Sequence, residues 1–69
     1  MAVMRWRVHY HLHAAGGRLW PTSREVDAED KTAALHEAIA LQRASDSARG
    51  RAHTGYYESA VVVPITEES

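Results

Sequence analysis

The chain has 69 residues, with eight Lys or Arg, nine Asp or Glu, five His and no cysteine, and its formal charge at neutral pH is −1. This length restricts it to one small domain, residues 1–69, whose core is expected at about residues 3–65. The absence of cysteine excludes a disulfide framework and a thiolate zinc site, and the charge balance leaves no basic excess for non-specific binding of nucleic acid.

The first predicted element is a β-strand over residues 3–13. Apolar and polar side chains alternate along it, and a period of two is typical of a strand with one buried face. The side chains expected in the core are Met4, Trp6, Val8, Tyr10 and Leu12. The side chains expected on the opposite face are Arg5, Arg7, His9, His11 and His13.

A turn and a second strand follow. Gly16 and Gly17 tolerate positive φ, so a hairpin turn is predicted at residues 14–17 and a strand at residues 18–26. Because Pro21 has no amide hydrogen for a ladder, this strand is expected at a sheet edge or interrupted at the proline.

An alanine-rich helix is predicted over residues 28–44, with Asp27 as its N-cap. Residues 45–51 lack periodicity and are interpreted as a polar loop. A last strand is predicted over residues 53–65, followed by an acidic tail at residues 66–69. One face of this strand is expected to carry Tyr57, Ser59, Val61, Val63 and Ile65. The other is expected to carry Tyr56, Glu58, Ala60 and Val62.

The order β-β-α-β predicts an α+β fold, a three-stranded antiparallel sheet in the order 2-1-3 with one helix packed on the Trp6 face. The opposite face is then open. Its candidate partner-binding residues are Arg5, Arg7, His9, His11, His13, Tyr56 and Glu58.

Besides an ordinary solvated surface, three functions are considered for this face. Tyr, Arg and His are typical of protein interfaces, which favours a non-catalytic protein-binding module. Arg5, Arg7 and Arg24, with Tyr56 on a neighbouring strand, would suit nucleic acid, although the usual RNA-binding motif is absent. A His-mediated metal site is the third alternative, but His9, His11 and His13 span about 13 Å and cannot all bind one ion, so no metal ligand is assigned.

Further expectations concern assembly and chemistry. Val61, Val62 and Val63 are apolar on both faces of the last strand, which suggests a homodimer interface there. No nucleophile or phosphate-binding motif is present, so we expect no enzymatic activity and no cofactor. No signal peptide or membrane-spanning run is recognised, and a cytoplasmic location is expected.

The strand end and capped helix at residues 25–38, EVDAEDKTAALHEA, resemble small phage-encoded and actinobacterial β-β-α-β proteins, among them anti-CRISPR and other host-takeover proteins. The resemblance concerns architecture over residues 3–65 and assigns no residue a role. It implies a protein that acts by docking on a host macromolecular complex.

Overall fold

Three long strands and one helix make up the computed structural model, which describes residues 2–66. The strands are β1 (Met4–His13), β2 (Leu19–Ala28) and β3 (Gly55–Pro64), and the helix is α1 (Lys31–Ala48). Both β2 and β3 pair antiparallel with β1, which gives the order β2-β1-β3. The predicted fold class and strand order are therefore confirmed.

The alternation along β1 places its even-numbered side chains under α1. Trp6, Val8 and Tyr10 are buried, and Leu12 is half-buried against the same core. The Trp6 indole Nε1 donates a hydrogen bond to the backbone oxygen of Ala28, at 2.9 Å. Met4 is an exception to the prediction, since it lies at the start of the strand and is 45% exposed.

The hairpin between β1 and β2 closes through residues with left-handed backbone. Gly16 and Gly17 have φ of 81° and 79°, and the Ala14 amide donates to the oxygen of Arg18 at 2.8 Å. Within the described residues β2 pairs with β1 alone, so Pro21 lies on an edge strand, where a missing amide hydrogen is tolerated.

The helix begins later than predicted, because β2 continues through Ala28. Val26 and Ala28 fill the core, which keeps the chain extended beyond Asp27. The N-cap is Asp30, whose Oδ1 accepts a hydrogen bond from the Ala33 amide at 2.8 Å. The assignment of Asp27 as the cap was wrong.

The helix also ends later than predicted, at Ala48, so the interpretation of residues 45–51 as a loop was wrong for its first half. Its end is a Schellman motif: the Gly50 amide donates to the Ser47 oxygen and the Arg51 amide to the Asp46 oxygen. Gly50 supplies the required positive φ, 68°. No helix within residues 2–66 is both long and apolar enough to cross a membrane.

A large bulge in β3 changes which side chains face the helix. His9 pairs with Val61 and His11 with Tyr56, so a step of two residues on β1 is matched by five on β3. Tyr57 packs against the core before the bulge, and Ala60 and Val62 pack against it afterwards. The strict alternation predicted for this strand was therefore wrong. The proposed acidic tail falls outside the described residues except for Thr66.

Gly55 is required by the ring of Tyr57, which lies directly over it. A Cβ atom at position 55 would overlap the phenol of Tyr57, whose other neighbour is Tyr10, with ring centroids 5.3 Å apart. This contact keeps Tyr57 on the helix side where β3 begins.

Gly55→Ala is expected to reduce the free energy of unfolding by about 1–3 kcal/mol, because the Tyr57 ring must move out of a packed position. Urea denaturation followed by circular dichroism measures this loss. In a Tyr57→Ala background the same substitution should cost little, since the overlapping ring is gone. An equal loss in both backgrounds would show that the two residues are not coupled.

Candidate functional site

The candidate site is the side of the sheet that faces away from α1, called the open face below. The odd-numbered residues of β1 and β2 lie on it, together with several residues of β3. The open face includes Arg5, Arg7, His9, His11, His13, Leu19, Glu25, Asp27, Tyr56, Glu58, Ser59, Val61 and Val63.

One end of the open face is a network of ion pairs. The register places Arg5 opposite Asp27 and Arg7 opposite Glu25. Arg7 Nη2 lies 2.8 Å from Glu25 Oε2, and Arg5 Nε lies 3.2 Å from Asp27 Oδ1. The hydrogen bond from Arg7 holds the pKa of Glu25 below its usual value. The basic charge of β1 is thus balanced locally by β2.

The other end of the open face carries histidines and one tyrosine. The rings of His13 and Tyr56 meet edge to face, with centroids 5.5 Å apart. The Tyr56 hydroxyl donates to Glu58 Oε2 at 2.7 Å, and this hydrogen bond raises the pKa of Tyr56. His11 Nδ1 lies 3.4 Å from Ser59 Oγ. Tyr56 and Glu58 are therefore on the histidine side, as the sequence predicts.

Apolar side chains flank the histidines on both outer strands. Leu19 is 43% exposed at the start of β2, while Val61 and Val63 are 54% and 38% exposed on β3. The register places Val61 opposite His9 and Val63 opposite Arg7, on the same side of the sheet. The sequence assigned these two valines to the face opposite Tyr56, because the bulge was not foreseen. Val62 points to the helix side instead.

A metal centre is not assembled by these residues. Within residues 2–66, no group of three or more His, Cys, Asp or Glu side chains is placed to hold one ion. His36 lies on α1, beside a shallow hollow of about 330 Å³ lined by His36, Ile39, Ala40 and Arg43. All four lining residues belong to one helix, so no second element closes over the hollow.

Two further residues have positions that bear on binding. Arg24, considered for the nucleic-acid face, lies on the helix side, where its Nε is 3.4 Å from the Tyr10 hydroxyl. Trp20 is 54% exposed near the hairpin turn.

The comparisons with known proteins give no relative from which a role could be transferred. No protein-family model, no curated protein and no solved structure matches the chain. The resemblance to phage-encoded β-β-α-β proteins stays a prediction.

Proposed function

We propose that the chain acts without catalysis, as a module that docks on another protein through the open face. The observation that carries this proposal is the composition of that face. Histidines and Tyr56 lie between exposed apolar side chains, next to an ion-pair network that cancels its own charge. A mixture of aromatic, apolar and balanced polar groups is typical of protein interfaces.

The same contacts make nucleic acid the less favoured ligand. A phosphate backbone is bound by cations that release counterions, whereas Arg5 and Arg7 already contact carboxylates. Glu58 adds a further negative charge beside Tyr56, the aromatic ring on which a base would stack. A protein partner requires no loss of these ion pairs.

The resemblance to host-takeover proteins suggests the kind of partner. A multisubunit macromolecular complex in the cytoplasm presents large folded surfaces, and a sheet of three ten-residue strands offers an extended, rigid counterpart. Such a rigid face binds without the cost of ordering a loop.

Replacing His9, His11 and His13 together by Thr is expected to leave the fold intact and weaken partner binding by about tenfold or more. These side chains lie outside the core, and Thr is well accommodated in strands. Affinity capture from the native host's lysate identifies the partner, and calorimetry with the purified partner then gives the dissociation constants.

His36→Ala is the matched control, because His36 is an exposed histidine on the outer side of α1. It should bind like the unmodified chain. If the triple variant also bound the partner with unchanged affinity, the open face would not be the docking surface. Binding to DNA or RNA that falls steeply with added salt would support a nucleic-acid binder instead.

A further inference from the structure

The outer edge of β3 has backbone groups with no strand beside them in the described part of the chain. The Ile65 amide donates to the Arg5 oxygen at 2.9 Å, so the odd-numbered residues 61, 63 and 65 direct their amides and carbonyls toward β1. The groups of Ala60 and Val62 consequently point to the free edge. Pro64 also has its nitrogen on that side, where it breaks no bond to β1.

The two edges of the sheet differ in how they resist pairing with another strand. Each edge carries one proline, Pro21 or Pro64, but β2 also carries the charged residues Arg24, Glu25 and Asp27, which oppose strand addition. Along β3, residues 59–65 carry no charge, and Val61 and Val63 are exposed. Only the β3 edge is therefore suited to pairing.

We infer that β3 pairs with β3 of a second copy of this chain, antiparallel and with the twofold axis at Val62. Each Val62 amide then donates to the Val62 carbonyl of the other copy. Each Ala60 amide donates to the Pro64 carbonyl of the other copy. Because Pro64 has no amide hydrogen, the return hydrogen bond to the Ala60 carbonyl is missing, and this loss occurs once at each end of the pairing.

This register also matches the side chains. Val61 of each copy lies opposite Val63 of the other copy. The dimer therefore contains two Val61–Val63 pairs on the open face, which include all four of these exposed valines. If the twofold axis moved to position 61, both Val63 side chains would lie opposite Ser59. If it moved to position 63, both Val61 side chains would lie opposite Ile65.

The helices do not obstruct the pairing. A twofold axis perpendicular to the sheet puts both helices on one side and both open faces on the other. Because α1 packs across all three strands, the two helices are separated by about three strand spacings, roughly 14 Å, which exceeds the 8–10 Å of helices in contact. The dimer does not depend on the open face binding a partner.

Disulfide formation between single-cysteine variants tests the register, since the chain has no native cysteine. In the proposed dimer, positions 61 and 63 of different copies form a non-hydrogen-bonded pair, with Cα atoms about 4.5 Å apart, within disulfide range. Identical positions are diagonal neighbours about 7–8 Å apart and are too distant. Mixed Val61→Cys and Val63→Cys chains should therefore cross-link, and each variant alone should not.

The same mixture oxidised in denaturant gives the random level of cross-linking. If the yield of Val61→Cys to Val63→Cys disulfide under native conditions were no higher than in denaturant, the proposed dimer would be wrong. Efficient cross-linking of Val61→Cys or Val63→Cys alone would overturn the proposed register. Sedimentation analysis should also show twice the monomer mass for the unmodified chain and the monomer mass for Val62→Pro, which removes an outward amide and no hydrogen bond to β1.

Discussion

Trp6→Ala is expected to reduce the free energy of unfolding by about 3–5 kcal/mol. The indole is 7% exposed and packs with Val26 and Ala28 under the helix, and its Nε1 donates a hydrogen bond to the backbone oxygen of Ala28. A core of this size rarely contributes more than about 3–5 kcal/mol in total. Most molecules of the variant should therefore be unfolded at room temperature, as measured by circular dichroism and urea titration.

Trp20→Ala is the matched control, because it removes the same side chain from a site that is 54% exposed. Its effect should stay near 0.5 kcal/mol, roughly the range of surface substitutions. Trp6→Phe separates the two contributions of Trp6: it keeps most of the ring volume and loses the hydrogen bond to Ala28. Both side chains are on the helix side of the hairpin and only Trp6 is covered, so equal losses for Trp6→Ala and Trp20→Ala would contradict the burial of Trp6 under the helix.

The sequence predicted those parts of the fold that depend on local periodicity. Alternation over β1 is uninterrupted, so it identified the buried face from Trp6 to Tyr10 and placed the histidines on the opposite side. The turn at Gly16 and Gly17 followed from backbone freedom alone. Once three strands and a helix were ordered, the topology 2-1-3 was the simplest arrangement that buries one apolar face.

The sequence did not predict features that depend on tertiary contacts. Asp27 and Asp30 are equally good caps by residue type, and the burial of Ala28 in the core, which keeps the strand extended past Asp27, has no local signal in the sequence. The bulge in β3 has no composition signal, yet it moves Val61 and Val63 to the open face. The helix end was recognisable from Gly50, because glycine commonly follows the last turn of a helix.

The largest omission was a buried polar cluster between the helix end and β3. Asp46, 1% exposed, accepts hydrogen bonds from the amide and the hydroxyl of Thr54 at 2.9 and 3.0 Å. Gln42 Nε2 donates to the same carboxylate, and Gln42 Oε1 accepts from the Tyr10 hydroxyl at 2.7 Å. A chain of hydrogen bonds thus joins β1, α1 and the start of β3. Residues so far apart in sequence give no local pattern.

Asp46→Ala is expected to lower the midpoint of thermal unfolding by on the order of 10 °C or to abolish the cooperative transition. The substitution removes the acceptor of the Thr54 amide and the shorter of the two hydrogen bonds that Gln42 Nε2 donates. Asp46→Asn should also lower the midpoint. The amide nitrogen of asparagine is a donor, and it would face the Thr54 amide or Gln42 Nε2, which are donors too. Asp27→Asn, an exposed site on the open face, is the control and should shift the midpoint little.

Stability should also depend on the charge of Asp46 in acid. The hydrogen bond from the Thr54 amide, followed by those from the Thr54 hydroxyl and Gln42, lowers the pKa of Asp46 from its ordinary value of 3.8. A lowered pKa in the folded protein gives stability that is complete above the unfolded value and is lost as pH falls through the folded one. Unfolding midpoints should therefore decrease below about pH 4.

Asp46→Asn should flatten this dependence, because its side chain does not titrate. Glu25→Gln is the control, since Glu25 is a second carboxylate with a lowered pKa. Glu25 is paired with Arg7 on the exposed surface, where solvent screens the interaction, so the acid dependence should persist in that variant. An Asp46→Asn variant that loses stability in acid as steeply as the unmodified chain would show that this carboxylate is not the group that links the fold to pH.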